Sequence, residues 1–399
     1  MGGETMKDGV VGGVSRSADP KSIRFWNEQL VIDVMRKQNE PLRIAQLAEL
    51  TGLTPASLGH LLRGLEAKGW VAAGGSQERR RGRPPQLFSL VRPQGCVLGI
   101  DFDAHTLRIV SIDMLGTELG RAEIPADDHV DGDYRGISRR LLSAVLPDGN
   151  GPVWAVGVSL DHDHHRTPDS EAASKVHEQI SALREELRAR GFHDDIIEVC
   201  DGHAAAFAAQ RVDMESRGRA MLYVHFDRTP KLCAVTEHGV YVGARGRAGH
   251  VYERGIPSAT YSLDKPQLPV EQTDNQASVL IEQAVAGDDD ALSAVQAYLA
   301  EAAPKIGCAA ALMDPAVVVV GGALSPLRDT VLPVVKEAVE QETGRPANVV
   351  DSGTDEFGVA TGSAFMAWQE IFNLLISSDS GAREFSAEQV HKLWAEQTS

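Results

Sequence analysis

The stretch VLGIDFDAHTLRIVSID, residues 97–113, constrains the fold more than any other part of the chain. An apolar run ends in Asp101, a short turn follows, and a second apolar run begins, so the stretch predicts a β-hairpin. This pattern is typical of the hairpin that opens a nucleotide-binding lobe. There the turn carries glycines, because backbone N–H groups must approach phosphate with no Cβ in the way. Here the turn reads Asp103-Ala104-His105, so the hairpin pattern is present without its glycines.

The length and the charge distribution indicate two parts with different roles. A chain of 399 residues is long enough for more than one domain, since single hydrophobic cores rarely exceed roughly 250–300 residues. The net charge is −17, yet residues 1–95 contain 14 Lys and Arg against 9 Asp and Glu. A basic head on an acidic body favours nucleic-acid binding by the head alone.

The sequence gives no sign of a membrane span, a secretory signal or a thiolate metal site. No apolar run approaches the ~18 residues that cross a bilayer, and the first 22 residues have no apolar core. The four cysteines lie far apart without a CxxC motif, which is typical of a protein of the reducing cytoplasm. We therefore expect a cytoplasmic protein with no membrane partner.

Residues 41–71 predict a helix-turn-helix. The segment IAQLAELTG reads as a helix that ends at Gly52, after which Thr54 is a good N-cap and Pro55 suits the first helical position. The next helix runs to about Lys68, and Gly69 closes it. Its buried stripe is predicted to be Leu58, Leu61, Leu62 and Leu65. The preceding stretch 22–37 predicts a helix with Ile23, Trp26, Leu30, Ile32 and Met35 on its apolar face.

A basic hairpin follows the second helix. WVAAGG and QLFSLV can pair as strands around SQERRRGRPP, and such a loop beside a recognition helix is typical of the wing of a winged helix. Helix-turn-helix shapes also serve protein–protein contacts, and an arginine run is often only a solvated loop. The order and spacing of the signals together favour DNA binding. The candidate DNA-binding residues are Thr54, Ser57, His60 and Arg63 on the helix, and Arg79, Arg80, Arg81 and Arg83 in the loop.

The whole chain resembles the ROK family (repressor, open reading frame, kinase). The resemblance is carried, in the family's order, by the GRPP wing, GIDF…RIVSID, a strand–Asp201–helix unit, GVYVGARGRAGH and VVVVGGALSP. It covers about residues 22–375 and implies an α/β chain with an N-terminal winged helix-turn-helix followed by a two-lobed actin/hexokinase-like ATPase fold. Members of the family are sugar kinases or transcriptional repressors, many of which respond to a sugar or a sugar phosphate.

The phosphate loops that the resemblance implies are both altered. The family's Asp-x-Gly-Gly-Thr turn is Asp101-Phe102-Asp103-Ala104-His105 here, and its Gly-Thr-Gly-Ile-Gly loop aligns with Arg228-Thr229-Pro230-Lys231-Leu232. The glycines of both loops are gone, and the proline removes one backbone donor. Neither loop can cradle phosphate as the family's loops do, although Arg228 and Lys231 could bind an anion in another way.

The implied sugar site is altered too. The family's Asn-Asp pair is Cys200-Asp201, which places Asp201 where a kinase holds its general base; the alternative is an N-cap or a buried hydrogen-bond acceptor. The family's Gly-Glu-x-Gly-His stretch aligns with 249–253, where the Glu and the His are exchanged. Asp201, His250 and Glu253 are therefore the candidate effector-binding residues.

No cofactor and no metal are expected. The family's zinc motif depends on closely spaced cysteines, and residues 254–275 contain none. The run Asp161-His162-Asp163-His164-His165 has residue types that bind zinc or nickel, but a polar exposed loop explains it as well. Whether His162, His164 and His165 bind metal is left open.

These observations predict four regions and one principal function. We expect a disordered lead over 1–21, a winged helix-turn-helix over 22–92, a ROK domain over 97–380 and a helical tail over 381–399. The function expected is a DNA-binding transcriptional regulator, a repressor, whose kinase-inactive ROK domain serves dimerisation and the sensing of a sugar or sugar-phosphate effector. The expected partners are a palindromic double-stranded operator and a second copy of the chain, as a homodimer or homotetramer. The alternatives are a sugar kinase that uses Asp201 as its base, and a DNA-binding protein with no small ligand.

The wing assignment predicts a specific effect of removing its arginines. The double substitution Arg81→Ala and Arg83→Ala is expected to weaken binding to every DNA sequence and to flatten the salt dependence, because phosphate contacts release counterions regardless of sequence. Titrations of duplex DNA at several salt concentrations measure both effects. Wild-type affinity together with a wild-type salt slope would show that the wing assignment is wrong.

Overall fold

The computed structural model divides into two compact units. It describes residues 20–75, 86–102, 106–125, 133–146, 151–160, 171–192, 196–212, 220–226, 230–236, 239–244, 246, 248–250, 279–376 and 386–398. The first unit comprises Met1–Pro93 with Leu375–Gln389, and the second comprises Gln94–Leu374 with Val390–Ser399. Within the described ranges, no helix has the length and hydropathy that a membrane crossing requires.

The first unit is a winged helix-turn-helix, as the sequence predicts. Its elements are α1 (Pro20–Gln38), α2 (Ile44–Thr51), α3 (Pro55–Ala67), β1 (Val71–Gly75) and β2 (Gln86–Leu90). The two strands pair antiparallel from Val71↔Leu90 to Gly75↔Gln86, and Leu42 exchanges two backbone hydrogen bonds with Phe88 at 2.8 and 2.9 Å. The turn between α2 and α3 begins at Gly52, whose φ of 71° is left-handed and favours glycine.

The core of this unit follows the apolar spacing of its helices. All four predicted leucines of α3 are buried. From α1 the buried apolar side chains are Val31, Ile32, Val34 and Met35. The prediction that Leu30 belongs to the buried face of α1 is wrong, since its side chain is 38% exposed. With 3.6 residues per turn, Leu30 lies on the opposite side of α1 from Ile32 and Met35, so it turns to solvent.

A buried carboxylate joins α1 to the end of α3. Glu28 is 2% exposed and accepts hydrogen bonds from Arg24 Nε at 2.9 Å and from Lys68 Nζ at 3.0 Å. Lys68 is the C-cap residue of α3. The pair therefore fixes where the second helix of the helix-turn-helix ends relative to α1.

The second unit contains two five-stranded sheets of the same design. Sheet I has the order β5-β4-β3-β6-β7 and sheet II the order β10-β9-β8-β11-β12. The strands of sheet I are β3 (Cys96–Phe102), β4 (Thr106–Ile112), β5 (Glu118–Pro125), β6 (Val153–Leu160) and β7 (Ile197–Cys200). Those of sheet II are β8 (Met221–Phe226), β9 (Lys231–Thr236), β10 (Gly239–Val240), β11 (Val317–Gly322) and β12 (Val349–Asp351). Each sheet begins with an antiparallel meander; a fourth strand then pairs parallel with the first strand, and a fifth pairs parallel with the fourth.

The predicted hairpin over 97–113 is confirmed. Strands β3 and β4 pair antiparallel from Val97↔Ile112 to Phe102↔Leu107. Strand β3 is buried along its whole length, as expected for a central strand covered on both faces. The turn at 103–105 lies outside the described residues, so the prediction about its phosphate contacts stays a prediction.

Helices cover the outer faces of both sheets. The helices that follow α3 are α4 (Tyr134–Val145), α5 (Glu171–Ala189), α6 (Asp201–Val212), α7 (Asp289–Met313), α8 (Arg328–Thr343), α9 (Gly358–Ile376) and α10 (Ala387–Thr398), with a short 3₁₀ turn at Ser325–Leu327. Apolar residues of α4 and α5 pack on sheet I, and those of α7 and α8 pack on sheet II. The tail helix α10 returns to sheet I, where His391 Nε2 lies 3.2 Å from the carbonyl oxygen of Val153.

The opposite faces of the sheets are covered by α6 and α9. Alanines of α6 pack on sheet II, while α9 lies directly on sheet I at two glycines. A Cβ at Gly99 would lie 1.9 Å from the carbonyl oxygen of Ala360, and one at Gly157 would lie 2.2 Å from that of Ser363. The backbone of α9 therefore approaches sheet I as closely as the absence of side chains allows.

Adding a single methyl group at this contact is expected to destabilise the second unit. Gly99→Ala drives a Cβ into the backbone of α9, and overpacking of this kind costs on the order of 2–3 kcal/mol. Denaturant unfolding followed by circular dichroism measures the change. Gly120→Ala in β5 is the matched control, because the nearest atom to its added Cβ is an ordinary 3.7 Å away. Equal stabilities of the two variants would contradict the packing of α9 on sheet I.

Candidate functional site

Helix α3 separates a buried apolar face from an exposed polar one. Its leucines are buried, while Thr54, Ser57, His60 and Arg63 are exposed. Ser57, His60 and Arg63 follow one another at intervals of three residues, so they form a row along the solvent side of the helix. Side chains of these types bind base edges and phosphates.

Thr54 has a structural role within that surface. Its hydroxyl oxygen accepts a hydrogen bond from the Ser57 backbone N–H at 3.2 Å and lies 3.0 Å from Ser57 Oγ. This is the N-cap that the sequence predicts, and it satisfies one of the free donors at the start of the helix. The side chains of Thr54 and Ser57 are therefore engaged with each other, whereas His60 and Arg63 lie beyond this pair along the helix.

The predicted wing arginines lie outside the described residues. Arg79, Arg80, Arg81 and Arg83 fall between Gly75 and Gln86, the last pair of the β1–β2 hairpin. Their contribution to DNA binding stays a prediction. Sequence reasoning missed Glu28 as an organiser of this unit, although a signal was present. Glu28 precedes Val31, Ile32 and Met35 at the spacing of one helical face, where a charged residue needs a buried partner.

The second candidate site surrounds Asp201, at the point where the chain leaves sheet I. Asp201 follows β7 directly, begins α6 and is 6% exposed. Its Oδ2 accepts a hydrogen bond from Lys231 Nζ at 2.6 Å, and its Oδ1 accepts one from the Gly202 backbone N–H at 2.7 Å. The Cys200 thiol also donates to Oδ1, at 3.2 Å.

The charge on Asp201 is fixed by these neighbours. Burial alone would raise the pKa of Asp201, but the Lys231 charge, the nearby His225 and the hydrogen bonds from Lys231 and Gly202 hold that pKa well below its usual range. A general base works best when its pKa lies near the working pH and its proton donor is the substrate. Asp201 instead has the properties of a buried ion-pair acceptor, which is the alternative that the sequence left open.

Three histidines lie around this ion pair. His225 Nε2 is 3.9 Å from Asp201 Oδ2, His250 Nε2 is 3.3 Å from Cys200 Sγ, and His203 Nε2 is 2.9 Å from the Ala248 carbonyl oxygen. Burial lowers the pKa of His203, so this imidazole is neutral at physiological pH. The structure thus brings two predicted residues, Asp201 and His250, into one cluster.

The remaining effector-site predictions have different outcomes. Glu253 lies outside the described residues, so its role stays a prediction. Lys231 is one of the two residues that the sequence offers as anion-binding, and the anion that it contacts is Asp201 of the same chain. His203 and His225 carry no sequence signal for this site, because nothing local distinguishes them from the other histidines of the chain.

The hairpin aspartate Asp101 also has an internal partner. It pairs across the strands with Arg108, whose Nη1 lies 4.0 Å from Asp101 Oδ2. Arg108 Nε in turn lies 3.5 Å from Glu123 Oε2 on β5. No cluster of three or more His, Cys, Asp and Glu able to hold a metal occurs among the described residues. The run 161–165 lies outside them, and its metal-binding prediction stays open.

Comparison with known proteins gives independent information about the first unit. A sequence profile described as the IclR helix-turn-helix domain matches residues 30–74. That segment contains the second half of α1 from Leu30 onward, all of α2 and α3, and most of β1. No curated protein matches the sequence.

Solved structures resemble the chain over different shares of its length. A ROK family transcriptional regulator, a homologue of the E. coli Mlc protein, is 15% identical and superposes with a TM-score of 0.60 over 94% of this chain and 99% of its own. A ROK family glucokinase from Streptomyces griseus is 16% identical, with a TM-score of 0.50 over 69% of this chain and 100% of its own. A ROK hexokinase from Thermus thermophilus is 18% identical, with the same TM-score over 69% and 99%.

These likenesses agree with the architecture derived above. The match to the regulator extends over nearly the entire chain, whereas those to the two kinases extend over about two thirds of it. The chain joins an N-terminal IclR-type helix-turn-helix domain to a two-sheet α/β body with the ROK fold.

Proposed function

We propose that this protein is a DNA-binding transcriptional regulator that acts as a repressor. The proposal rests on one observation: α3 presents a row of exposed polar side chains, Ser57, His60 and Arg63, opposite a fully buried leucine stripe. In a helix-turn-helix the second helix enters the major groove, and residues of this kind read base edges there. The structural likeness to a regulator over nearly the whole chain supports the same assignment.

The ROK body is proposed to be inactive as a kinase. Phosphoryl transfer requires a cradle of backbone N–H groups for the phosphates and a base that accepts the substrate's proton. The sequence lacks the glycines of both loops, and the Asp201 carboxylate is held in a buried ion pair by Lys231. Both requirements of the reaction are therefore weakened in the same domain.

The body is proposed to serve dimerisation and effector sensing in the cytoplasm. A single helix-turn-helix offers a small contact area, so two copies on a palindromic operator gain both affinity and register. The fold shared with sugar kinases supports a sugar or a sugar phosphate as the effector class. His250, which lies beside Cys200, is the described residue that we propose for contact with it, together with Glu253.

Capture of genomic DNA tests the regulator proposal directly. The purified protein is incubated with genomic fragments at near-physiological salt, and the bound fragments are sequenced. Enrichment of a two-fold symmetric site is the expected result. Arg63→Ala should then weaken binding to that site by about 1–3 kcal/mol and relax its specificity, since a side chain that contacts a base discriminates by that amount.

The control for this substitution removes an exposed positive charge from the second unit. Lys336 in α8 is 53% exposed and lies 3.9 Å from Glu340, so Lys336→Ala lowers the charge by the same amount. Its affinity and specificity should match the wild type. Failure to enrich any fragment at any salt concentration would contradict the proposal.

The proposed lack of kinase activity gives a second expected outcome. Incubation with ATP and a panel of hexoses should yield no hexose phosphate above a no-protein blank, because the Asp201 carboxylate is already ion-paired with Lys231. Coupled assays of ADP release measure this. Turnover that disappears in Asp201→Asn would show instead that the chain is a sugar kinase with an atypical nucleotide site.

A further inference from the structure

Lys231 is an unusual residue to find at the centre of a domain. It is 1% exposed and is among the largest fully buried side chains of the described residues. Lysine is almost never fully buried unless its charge is paired. Here the pairing is short and direct, because Nζ lies 2.6 Å from Asp201 Oδ2. The position of this ammonium group is therefore specified by the surrounding structure.

Several features of the neighbouring backbone accommodate the lysine. Its stem passes over the first turn of α6 at Gly202, where an added Cβ would lie 3.0 Å from Lys231 Cβ and 3.2 Å from Lys231 Cδ. The Gly202 N–H holds the other carboxylate oxygen of Asp201. Lys231 also forms a β-bridge with His250, which brings the chain after β10 against the start of β9. The Asp201 acceptor, the space over Gly202 that the lysine stem occupies, here called the channel, and the covering segment at His250 are thus all present.

The ion pair lies at a junction between the two sheets. Asp201 is the first residue after β7 of sheet I, and Lys231 is the first residue of β9 in sheet II. His225, at 3.9 Å from the same carboxylate oxygen, also comes from sheet II. The Asp201 carboxylate is therefore occupied from the sheet II side by groups of the chain itself.

We infer that the groups around Asp201 form a binding site for a primary ammonium group. Lys231 of the same chain occupies that site as a built-in ligand. Asp201 and Gly202 form the recognition elements, and the lysine stem fills the channel. Small molecules consequently cannot use the Asp201 carboxylate as a hydrogen-bond acceptor. Any effector is recognised by other groups, and Lys231 determines this specificity.

Chemical rescue tests the inference. Lys231→Ala removes three carbons and the ammonium group, so propylammonium supplies the missing atoms. The variant is expected to melt roughly 5–15 °C below the wild type, because it leaves a buried carboxylate unpaired. Propylammonium at pH 8 should raise its Tm by a few degrees in a concentration-dependent way, as a ligand that binds only the folded state must. Refolding the variant from denaturant in the presence of the amine lets the amine enter the site.

Two probes separate charge from cavity filling. 1-Propanol has nearly the same size without the charge and should not raise the Tm of Lys231→Ala. Lys231→Met fills the channel without an ammonium group, so it should lose stability and not respond to propylammonium.

The double variant Asp201→Asn with Lys231→Met removes both charges and should recover much of the loss, since an uncharged pair has no buried ion to compensate.

An exposed ion pair provides the matched control. Arg345 Nη2 lies 2.9 Å from Asp314 Oδ1, with the two side chains 64% and 70% exposed. Arg345→Met should leave the Tm within a degree or two of the wild type, because exposed pairs contribute little. Its Tm should not respond to propylammonium.

Two results would overturn the inference. One is a Tm of Lys231→Ala that rises no more with propylammonium than with propanol. The other is a hexose or hexose phosphate that raises the Tm of the wild type but not of Asp201→Asn, which would show that Asp201 binds the ligand. All these melts are recorded without DNA, so their outcome is independent of whether the protein proves to be a regulator.

Discussion

A carboxylate that leaves water needs a cation beside it, and each unit of this protein contains a buried carboxylate that a lysine from another element neutralises. Transfer of an unpaired carboxylate to the interior is too costly for a folded chain to tolerate. Glu28 satisfies this requirement with Arg24 and Lys68, and Asp201 satisfies it with Lys231. In both cases the lysine comes from a different element, so neutralising the charge also fixes the relative position of two elements. In the first unit these are α1 and the end of α3; in the second they are the start of α6 and the start of β9.

The fold of the second unit explains why the Asp201–Lys231 ion pair affects ligand binding. Both sheets share one design, a meander followed by two parallel strands. Asp201 stands at the carboxyl end of the last strand of sheet I, and the carboxyl ends of parallel strands are where open α/β sheets bind ligands. A buried lysine at that point occupies the position from which a substrate would be recognised. Lys231 also falls in the segment that the family resemblance aligns with a phosphate loop, so in the proposed inactive kinase one segment both lacks the loop's glycines and supplies the internal cation.

Local features of both units could be predicted from the sequence, whereas the partners of buried charges could not. The Thr54 cap, the Gly52 turn and the leucine stripe of α3 each depend on residues within a few positions of one another, so spacing alone reveals them. The hairpin over 97–113 was predictable for the same reason. Lys231 and Asp201 are 30 residues apart; Asp201 follows the last strand of sheet I, whereas Lys231 begins a strand of sheet II, and nothing in either local pattern pairs them. Leu30 shows that local spacing also has a limit, since near-helical spacing placed this residue on the buried face of α1 although its side chain is exposed.

The charge distribution gives these separate observations a common physical basis. Residues 1–95 carry an excess of positive charge and the rest of the chain a large excess of negative charge. An acidic body repels a phosphate backbone, so in the proposed regulator DNA contacts are confined to the helix-turn-helix and its wing. A head of that size cannot supply high affinity and register alone, which is why the body's proposed role is to bring two heads together. In the proposed regulator, the second unit positions the two helix-turn-helix heads. A buried ion pair suits that role better than an open catalytic carboxylate, because the pair keeps the strands around it in one arrangement without a bound substrate.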